Sequence, residues 1–182
     1  KIIYIFLEEI PNFIKNSFSF QADKVLSPII SWKYENYQRD QITKGIANAK
    51  PEDVILISDI DEIPNLSNLD LKKFDQKILS FKQKFFYYKF NYLSLEYPSW
   101  YGTKLCKRKN LKSPQWLRSL KTYKQYPFYR LDKILFSKNY EHSCSIIEDG
   151  GWHFSWIGDS KTIVDKIEST AHTELNKKEI KD

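Results

Sequence analysis

The sequence contains no methionine, only two cysteines and only five glycines in 182 residues. Two cysteines are too few for a disulfide framework, so we interpret Cys106 and Cys144 as free thiols. No apolar run is long enough for a transmembrane helix, and no signal peptide is recognisable. The sequence also lacks a Walker phosphate loop, a Gly-x-Gly-x-x-Gly fingerprint, a zinc-spaced set of Cys or His, and a recognisable Ser-His-Asp arrangement. Any nucleotide or metal site must therefore be built from other residues.

The composition is that of a globular protein, with 41% hydrophobic and 29% charged residues. At this length a single domain over residues 1–182 is the simplest organisation. The net charge of +6 suits anionic partners such as nucleotides, nucleic acid or a membrane surface. The longest basic cluster is only Lys107-Arg108-Lys109, and acids are scattered among the other cations. A solvated surface therefore explains the charge at least as well as a nucleic-acid groove.

The start of the chain is unusual, because Lys1 leads directly into the apolar run Ile2-Ile3-Tyr4-Ile5-Phe6-Leu7. Together with the absence of methionine, this leads us to expect either a fragment of a longer protein or a sequence from which modified methionines have been omitted.

Hydrophobic periodicity predicts an α/β fold. Residues 33–49 have the spacing of a helix, and Val54–Ile57 is a short β-branched run typical of a strand buried on both faces of a parallel sheet. Residues 84–95 carry aromatic side chains on both faces of an extended chain, which predicts a second, longer strand. Another helix is expected from about Ser160, capped by Asp159 or Ser160. The region from 99 to 140 predicts only loops and short elements.

Three acidic residues, Asp59, Asp61 and Glu62, follow the predicted strand Val54–Ile57. In an extended chain Asp59 and Asp61 project to one side, and Ile60 points back to the core. Open α/β sheets bind ligands beyond the carboxyl ends of their strands. Two carboxylates at that position are suitable ligands for Mg²⁺ or Mn²⁺, and such an ion can in turn bind a diphosphate. The alternative is a solvated turn. Mutual repulsion of three acids without a cation favours the metal site.

The stretch from Ser58 to Pro64 resembles the Asp-x-Asp-Glu-Ile-Pro signature of glycosyltransferase family 17. The known animal member of that family adds the bisecting GlcNAc to N-glycans. Residues 32–39, 100–104, 150–156 and 166–176 resemble further blocks of the family in the same order. The resemblance implies a GT-A-like nucleotide-sugar-binding fold with a mostly parallel central sheet. It also implies a UDP-sugar donor, a Mn²⁺ or Mg²⁺ ion on Asp59 and Asp61, and a first strand and helix lying before Lys1.

Candidates for the remaining parts of the site are less specific. His153 could be a third metal ligand or an aromatic-flanked core residue. Arg39 could reach a phosphate or pair with Glu35 one helical turn away. Diphosphate contacts could come from Lys104 and Arg118, although most such residues are merely solvated.

Trp152 could stack on a sugar ring or pack in the core. Our candidates for the general base are Asp149, beside the Gly-Gly turn, and Glu174, after the last helix. The expected reaction moves a sugar, GlcNAc by resemblance, from the UDP-sugar to a glycan or another hydroxyl-bearing acceptor with inversion. We expect neither a nucleic-acid partner nor a membrane segment.

Two rival functions remain at this stage. A haloacid-dehalogenase-type phosphatase also places Asp-x-Asp after a buried strand and uses the first Asp as a nucleophile. Ile63 and Pro64 depart from its usual pattern, and the strand is not the first of the chain. A nucleic-acid-binding module would instead need a contiguous basic face.

Overall fold

The computed structural model describes residues 4–7, 12, 26–67, 69–121, 127, 129 and 144–169. Of residues 26–31 and 167–169 only the backbone is described. The chain divides into two compact units, one formed by residues 1–48 with 158–182 and the other by residues 49–157. Within the described ranges no helix is both long and apolar enough to cross a membrane.

The described helices are α1 (Leu26–Asp40), α2 (Ile42–Gly45), α3 (Pro114–Ser119) and α4 (Ser160–Ser169). The described strands are β1 (Val54–Ile57), β2 (Glu62–Pro64), β3 (Ile78–Phe81), β4 (Gln83–Tyr87), β5 (Ser99–Trp100), β6 (Lys104–Lys107), β7 (Cys144–Ile147) and β8 (Gly151–Ser155). Two single turns of 3-10 helix lie at Leu71–Lys73 and Arg108–Asn110.

The first unit contains α1, α2 and α4. The helix expected over residues 33–49 is displaced, because α1 already begins at Leu26 and ends at Asp40, and α2 adds one further turn. The expected cap of the last helix is confirmed: the Asp159 carboxylate accepts a hydrogen bond from the Thr162 backbone N–H at 2.8 Å. That bond satisfies a backbone donor that the first turn of α4 leaves without a helical partner.

The second unit contains two four-stranded sheets, of strand order β1-β6-β3-β7 and β2-β8-β4-β5. The α/β class is therefore observed as a mixture of helices and mixed sheets. A mostly parallel sheet is not found among the described strands, since only the pairs β3–β7 and β4–β8 are parallel. Strand β1 pairs antiparallel with β6 and lies at the edge of the described sheet, not at its centre.

Four chain segments, residues 54–64, 78–87, 99–107 and 144–155, each contribute one strand to each of the two sheets. Strand β1 lies beside β6 in the first sheet, but its continuation β2 lies beside β8 in the second. Similarly, β5 and β6 are separated only by residues 101–103, and each belongs to a different sheet. The connections at 58–61 and 101–103 therefore lie at the junction of the sheets, where neighbouring segments change partners.

The hydrophobic core of the second unit lies on the first sheet. Its buried cluster consists of Phe74, Leu79, Phe81 and Leu105, with Val54, Leu56, Leu69 and Ile147 packed around it. Helix α3 packs against β1 and β6 of the same sheet. Strand β3 is buried at all four positions.

The second strand predicted over residues 84–95 is shorter than expected. Strand β4 ends at Tyr87, because Tyr88 adopts a left-handed backbone conformation with φ 64°. The chain then reverses, and Leu93 forms an antiparallel bridge back to Phe86. The alternating aromatic pattern therefore covers a strand and the turn that follows it.

Candidate active site

The acidic motif forms a tight turn between β1 and β2. The Glu62 backbone N–H donates to the Asp59 carbonyl at 3.1 Å and closes the turn. Ile60, which we expected to point toward the core, is instead fully exposed at 104%. The extended geometry predicted for residues 59–61 is wrong, because the turn reverses the chain at Ile60. Both aspartates nevertheless lie on this one turn.

Glu62 is the buried centre of the turn. It begins β2, and its side chain has no exposed surface. Its carboxylate accepts hydrogen bonds from Trp100 Nε1 at 2.6 Å, Thr103 Oγ1 at 2.8 Å and the Asp59 backbone N–H at 3.2 Å. Trp100 ends β5, and Thr103 and Asp59 lie in the two connections at the sheet junction. A buried carboxylate with this many donors is held in one orientation.

Arg118 supplies the positive charge facing this turn. It lies on α3, whose first turn is capped by the Ser113 hydroxyl accepting from the Trp116 backbone N–H at 3.1 Å. The guanidinium donates to both oxygens of Glu62, with Nη1 at 3.2 Å from Oε2, and Nη2 also donates to Asp59 Oδ2 at 2.6 Å. The side chain is only 10% exposed. Instead of standing open for a diphosphate, as predicted, Arg118 is already paired with two carboxylates.

Gly102 makes this arrangement possible. A Cβ atom at this position would overlap Arg118 Nη1, Glu62 Oε1 and Trp100 Nε1. The chain can therefore pass this close to the buried ion pair only because residue 102 has no side chain.

Pairing of β2 with β8 brings His153 to the acidic turn. Glu62 lies opposite His153 in the ladder, and the Phe154 backbone N–H donates to the Asp61 carbonyl at 2.9 Å. His153 Nε2 lies 3.5 Å from Asp61 Oδ1. The structure thus brings together two of the three residues predicted to hold a metal, while Asp59 lies at the other end of the same turn.

The His153 ring is fixed between two aromatic rings. Its centroid lies 4.6 Å from that of Phe85, with the planes 2° apart, and 4.7 Å from that of Trp100. The residue is 6% exposed, and among the described residues its Nδ1 atom has no hydrogen-bond partner. An imidazole held this tightly can present Nε2 to Asp61 in only one direction.

The donor set is compatible with a divalent cation that a nucleotide also ligates. Among the described residues no group of three or more His, Cys, Asp or Glu side chains is placed to hold a metal ion. Asp61 and His153 would supply two ligands, whereas Asp59 is paired with Arg118 and does not form one group with them. Mg²⁺ in proteins is commonly bound by one or two carboxylates, with water and substrate phosphates completing the shell. The turn fits that mode and does not form a closed metal cage.

Lys104, which we considered as a diphosphate contact, is buried and bonded to backbone carbonyls. It is 2% exposed, and Nζ donates to the carbonyls of Tyr101 and Arg118 at 2.9 Å and of Gly102 at 3.4 Å. Burial, and secondarily the neighbouring Arg118 charge, lowers the pKa of the Lys104 amine to about 7. This amine therefore ties the loop after β5 to α3.

Trp152 and Asp149 lie on the solvent-facing side of the second sheet. Successive residues of β8 face opposite sides, so Trp152, which is exposed, points away from the His153 side. Asp149 Oδ1 lies 3.2 Å from Lys84 Nζ, whose residue pairs with Trp152 in the ladder. The structure does not bring either residue to the acidic turn.

The last two predicted site residues lie elsewhere. Arg39 belongs to the other unit, and its Nη2 donates to Glu35 at 2.8 Å, so the intrahelical ion pair that we considered is present. An open cavity of about 430 Å³ in that unit is lined by Tyr34, Gln38 and other residues but not by Arg39. Glu174 lies outside the described residues.

The basic cluster at residues 107–109 is partly neutralised. Lys107 and Lys109 both donate to Glu52, at 2.8 and 2.6 Å. These two hydrogen bonds lower the pKa of the Glu52 carboxyl to about 2. The cluster offers less net charge to a polyanion than its sequence indicates.

Sequence reasoning missed the roles of Glu62, Trp100 and Thr103 in supporting the turn. One signal was available: Glu62 directly follows two ligand candidates and begins an apolar strand, where an acid needs buried donors. The block at residues 100–104 carries the matching donors, but nothing local links it to Glu62.

Comparisons with known proteins do not extend the assignment. No protein-family model matches the chain, and no curated protein and no solved structure is significantly similar to it.

Proposed function

We propose that this chain is the catalytic core of a metal-dependent inverting glycosyltransferase with a GT-A-like fold. It moves a sugar, GlcNAc by resemblance, from a UDP-sugar to a hydroxyl of a glycan or another acceptor. The observation that supports the proposal best is the acidic turn, in which Asp61 faces the buried His153 at 3.5 Å. The family-like blocks around residues 58–64, 100–104 and 150–156 support it from the sequence, and they contribute most of the side chains of the site.

In this proposal Asp61 and His153 hold Mn²⁺ or Mg²⁺ together with the diphosphate of the donor. When bound, the cation supplies Lewis-acid chemistry that neutralises the charge on the departing UDP. The protein contributes positioning: Phe85 and Trp100 fix the His153 ring, and the buried Glu62 fixes the turn. Such preorganisation removes the need to order these groups during the reaction.

The general base is the least defined part of the proposal. The Asp149 carboxylate is paired with Lys84 and lies on the side of β8 away from His153, so we leave Asp149 out. Glu174 stays the predicted base that accepts the proton of the acceptor hydroxyl.

The test is a calorimetric titration of UDP into the protein with and without Mn²⁺. We expect wild-type binding to require Mn²⁺, and Asp61→Asn to weaken it at least about tenfold, because the amide cannot donate a charged oxygen to the cation. Asp75→Asn, which changes an exposed carboxylate elsewhere, is the matched control and should bind like wild type. Equal UDP binding with and without Mn²⁺ would contradict the proposal.

A second measurement separates the transferase from the phosphatase. A transferase should slowly release UDP from the matching UDP-sugar when Mn²⁺ is present, with water replacing the acceptor. A phosphatase needs Asp59 as a nucleophile, and beryllium fluoride should then form an adduct on it. We expect no adduct and no hydrolysis of phosphate monoesters. Monoester hydrolysis without any UDP release would exclude the transferase.

A further inference from the structure

The buried amine of Lys104 is surrounded by three backbone carbonyls. Its Nζ atom lies 2.9 Å from the carbonyl oxygens of Tyr101 and Arg118 and 3.4 Å from that of Gly102. An ammonium group carries three N–H donors, one for each of these acceptors. A neutral amine carries only two donors, so one carbonyl must lose its hydrogen bond when the proton leaves. The geometry therefore matches the charged form of the side chain.

Burial opposes the charge that these three hydrogen bonds require. Lys104 is 2% exposed, and burial, together with the neighbouring Arg118 charge, lowers the pKa of its amine to about 7. Three groups act in the opposite direction: Glu62 on β2, Asp59 on the acidic turn and Cys144 on β7. The adjacent strands β1 and β3 place the uncharged Ile57 and Ser80 opposite Lys104. The amine thus has matched acceptors for its charged form but little contact with water, so it can lose its proton near neutral pH.

The three carbonyls belong to two chain segments that also bind Glu62. Residues 101–103 connect β5 to β6, and Thr103 Oγ1 in this connection donates to the Glu62 carboxylate at 2.8 Å. Arg118 accepts from Lys104 through its carbonyl and donates to Glu62 through its guanidinium. That carbonyl lies in the last turn of α3, where a helix leaves its carbonyls without helical partners. The Lys104 amine therefore joins two segments whose side chains hold Glu62.

Gly102 connects the amine to the buried ion pair. Its contact with Lys104 is the longest of the three, so it is the one that we expect a neutral amine to give up first. The Gly102 backbone packs directly against the ion pair, because a Cβ atom there would overlap Arg118, Glu62 and Trp100. A shift of this backbone therefore changes the surroundings of the Trp100 indole.

We propose that Lys104 is a proton-dependent link that positions the groups around Glu62. As an ammonium group it holds α3 and the connection at residues 101–103 together. As a neutral amine it releases the Gly102 carbonyl and loosens the contacts of Trp100 and Arg118 with Glu62. Lys104 is a positioning residue in this inference, since it acts through Gly102. The inference goes beyond the proposed function and does not depend on it, because it needs neither a metal ion nor a substrate.

The test follows one amine and one indole of the full chain by NMR, at a series of pH values from mildly acidic to alkaline. The ¹³C signal of Lys104 Cε, identified by its loss in Lys104→Met, reports the charge of the amine. The Nε1–H signal of Trp100, identified by its loss in Trp100→Phe, reports the hydrogen bond to Glu62. We expect both signals to shift with the same midpoint, near pH 7.

Two comparisons within this experiment separate the link from a general effect of pH. In Lys104→Met the Trp100 signal should lose its dependence on pH in that range, because the variant has no amine to titrate. The indole signal of Trp152, which points to the other side of β8, is the matched control and should not shift with this midpoint. A common shift of both indoles would overturn the specific connection between Lys104 and Trp100.

His153 needs a control of its own, because its ring stacks on that of Trp100 and histidines commonly titrate near neutral pH. In His153→Phe the pH-dependent shift of Trp100 should persist. If the shift disappears in His153→Phe and survives in Lys104→Met, the link is overturned. The wild-type protein alone also decides the matter: an amine that stays charged through this range, or an indole that does not follow the amine, contradicts the inference.

Discussion

The two sheets of the second unit are built from the same four chain segments but are used differently. The first sheet buries Leu79, Phe81 and Leu105 in an aliphatic and aromatic core. The second sheet buries Glu62 and also His153, whose ring stacks on that of Phe85. Apolar burial stabilises a fold without specifying chemistry, whereas buried ionisable groups cost stability unless each is paired. We therefore expect that substitutions in the core of the first sheet change the stability of the fold without changing ligand binding at the candidate site.

The largest expected effect comes from the first sheet. Leu105→Ala should lower the free energy of unfolding by about 2–5 kcal/mol, because it leaves a cavity beside Phe81. Urea denaturation would measure the loss. Mn²⁺-dependent UDP affinity, measured well below the unfolding midpoint, should not change. A parallel loss of affinity would show that the two sheets are not separable in this way.

Lys104 tests the connection between the sheets, because it belongs to β6 and its amine ties the loop after β5 to α3. Its pKa is lowered from 10.5 to about 7 in the folded protein. Between these pH values the unfolded chain keeps a proton that the folded chain has released, so stability should rise with pH. The slope should be at most about 1.4 kcal/mol per pH unit.

Urea denaturation at a series of pH values from neutral to alkaline would measure that slope. Lys104→Met should remove it, because the variant has no amine to titrate. Identical slopes in the two proteins would mean that Lys104 keeps its proton when folded.

The smallest expected effect on stability comes from the second sheet and has the opposite sign. His153→Phe keeps a ring between Phe85 and Trp100 but removes the buried Nδ1, which has no hydrogen-bond partner in the part of the chain that the structure describes. We expect the free energy of unfolding to rise by about 1 kcal/mol, the order of the penalty for one unsatisfied buried group. Mn²⁺-dependent UDP affinity should fall, because Nε2 is lost. A variant that is less stable and binds normally would reverse both expectations.

The sequence predicted the parts of this molecule that depend on local pattern. The strand at Val54–Ile57 is present, and the last helix begins at Ser160 with Asp159 as its cap. The proximity of His153 to the acidic motif was also expected, and the structure places its ring 3.5 Å from Asp61.

The parts that could not be predicted depend on contacts between distant segments. The turn at Asp59 is held through Glu62, whose donors Trp100, Thr103 and Arg118 lie far along the chain. No local rule distinguishes this turn from an extended strand end, so Ile60 was placed on the wrong side. The antiparallel pairing of β1 with β6 could not be predicted either, because an apolar run of four residues fits both a parallel and an antiparallel sheet.

The absence of a side chain at Gly102 has a consequence for how this chain can vary during evolution. Any other residue there would push against the contact of Arg118 with Glu62 and against the indole of Trp100. A related chain that has lost the buried ion pair can accept a larger residue at position 102. A chain that keeps the ion pair still needs glycine there. In related chains, residue 102 should therefore serve as a marker: glycine where the ion pair persists, and larger residues only where Glu62 or Arg118 has already been replaced.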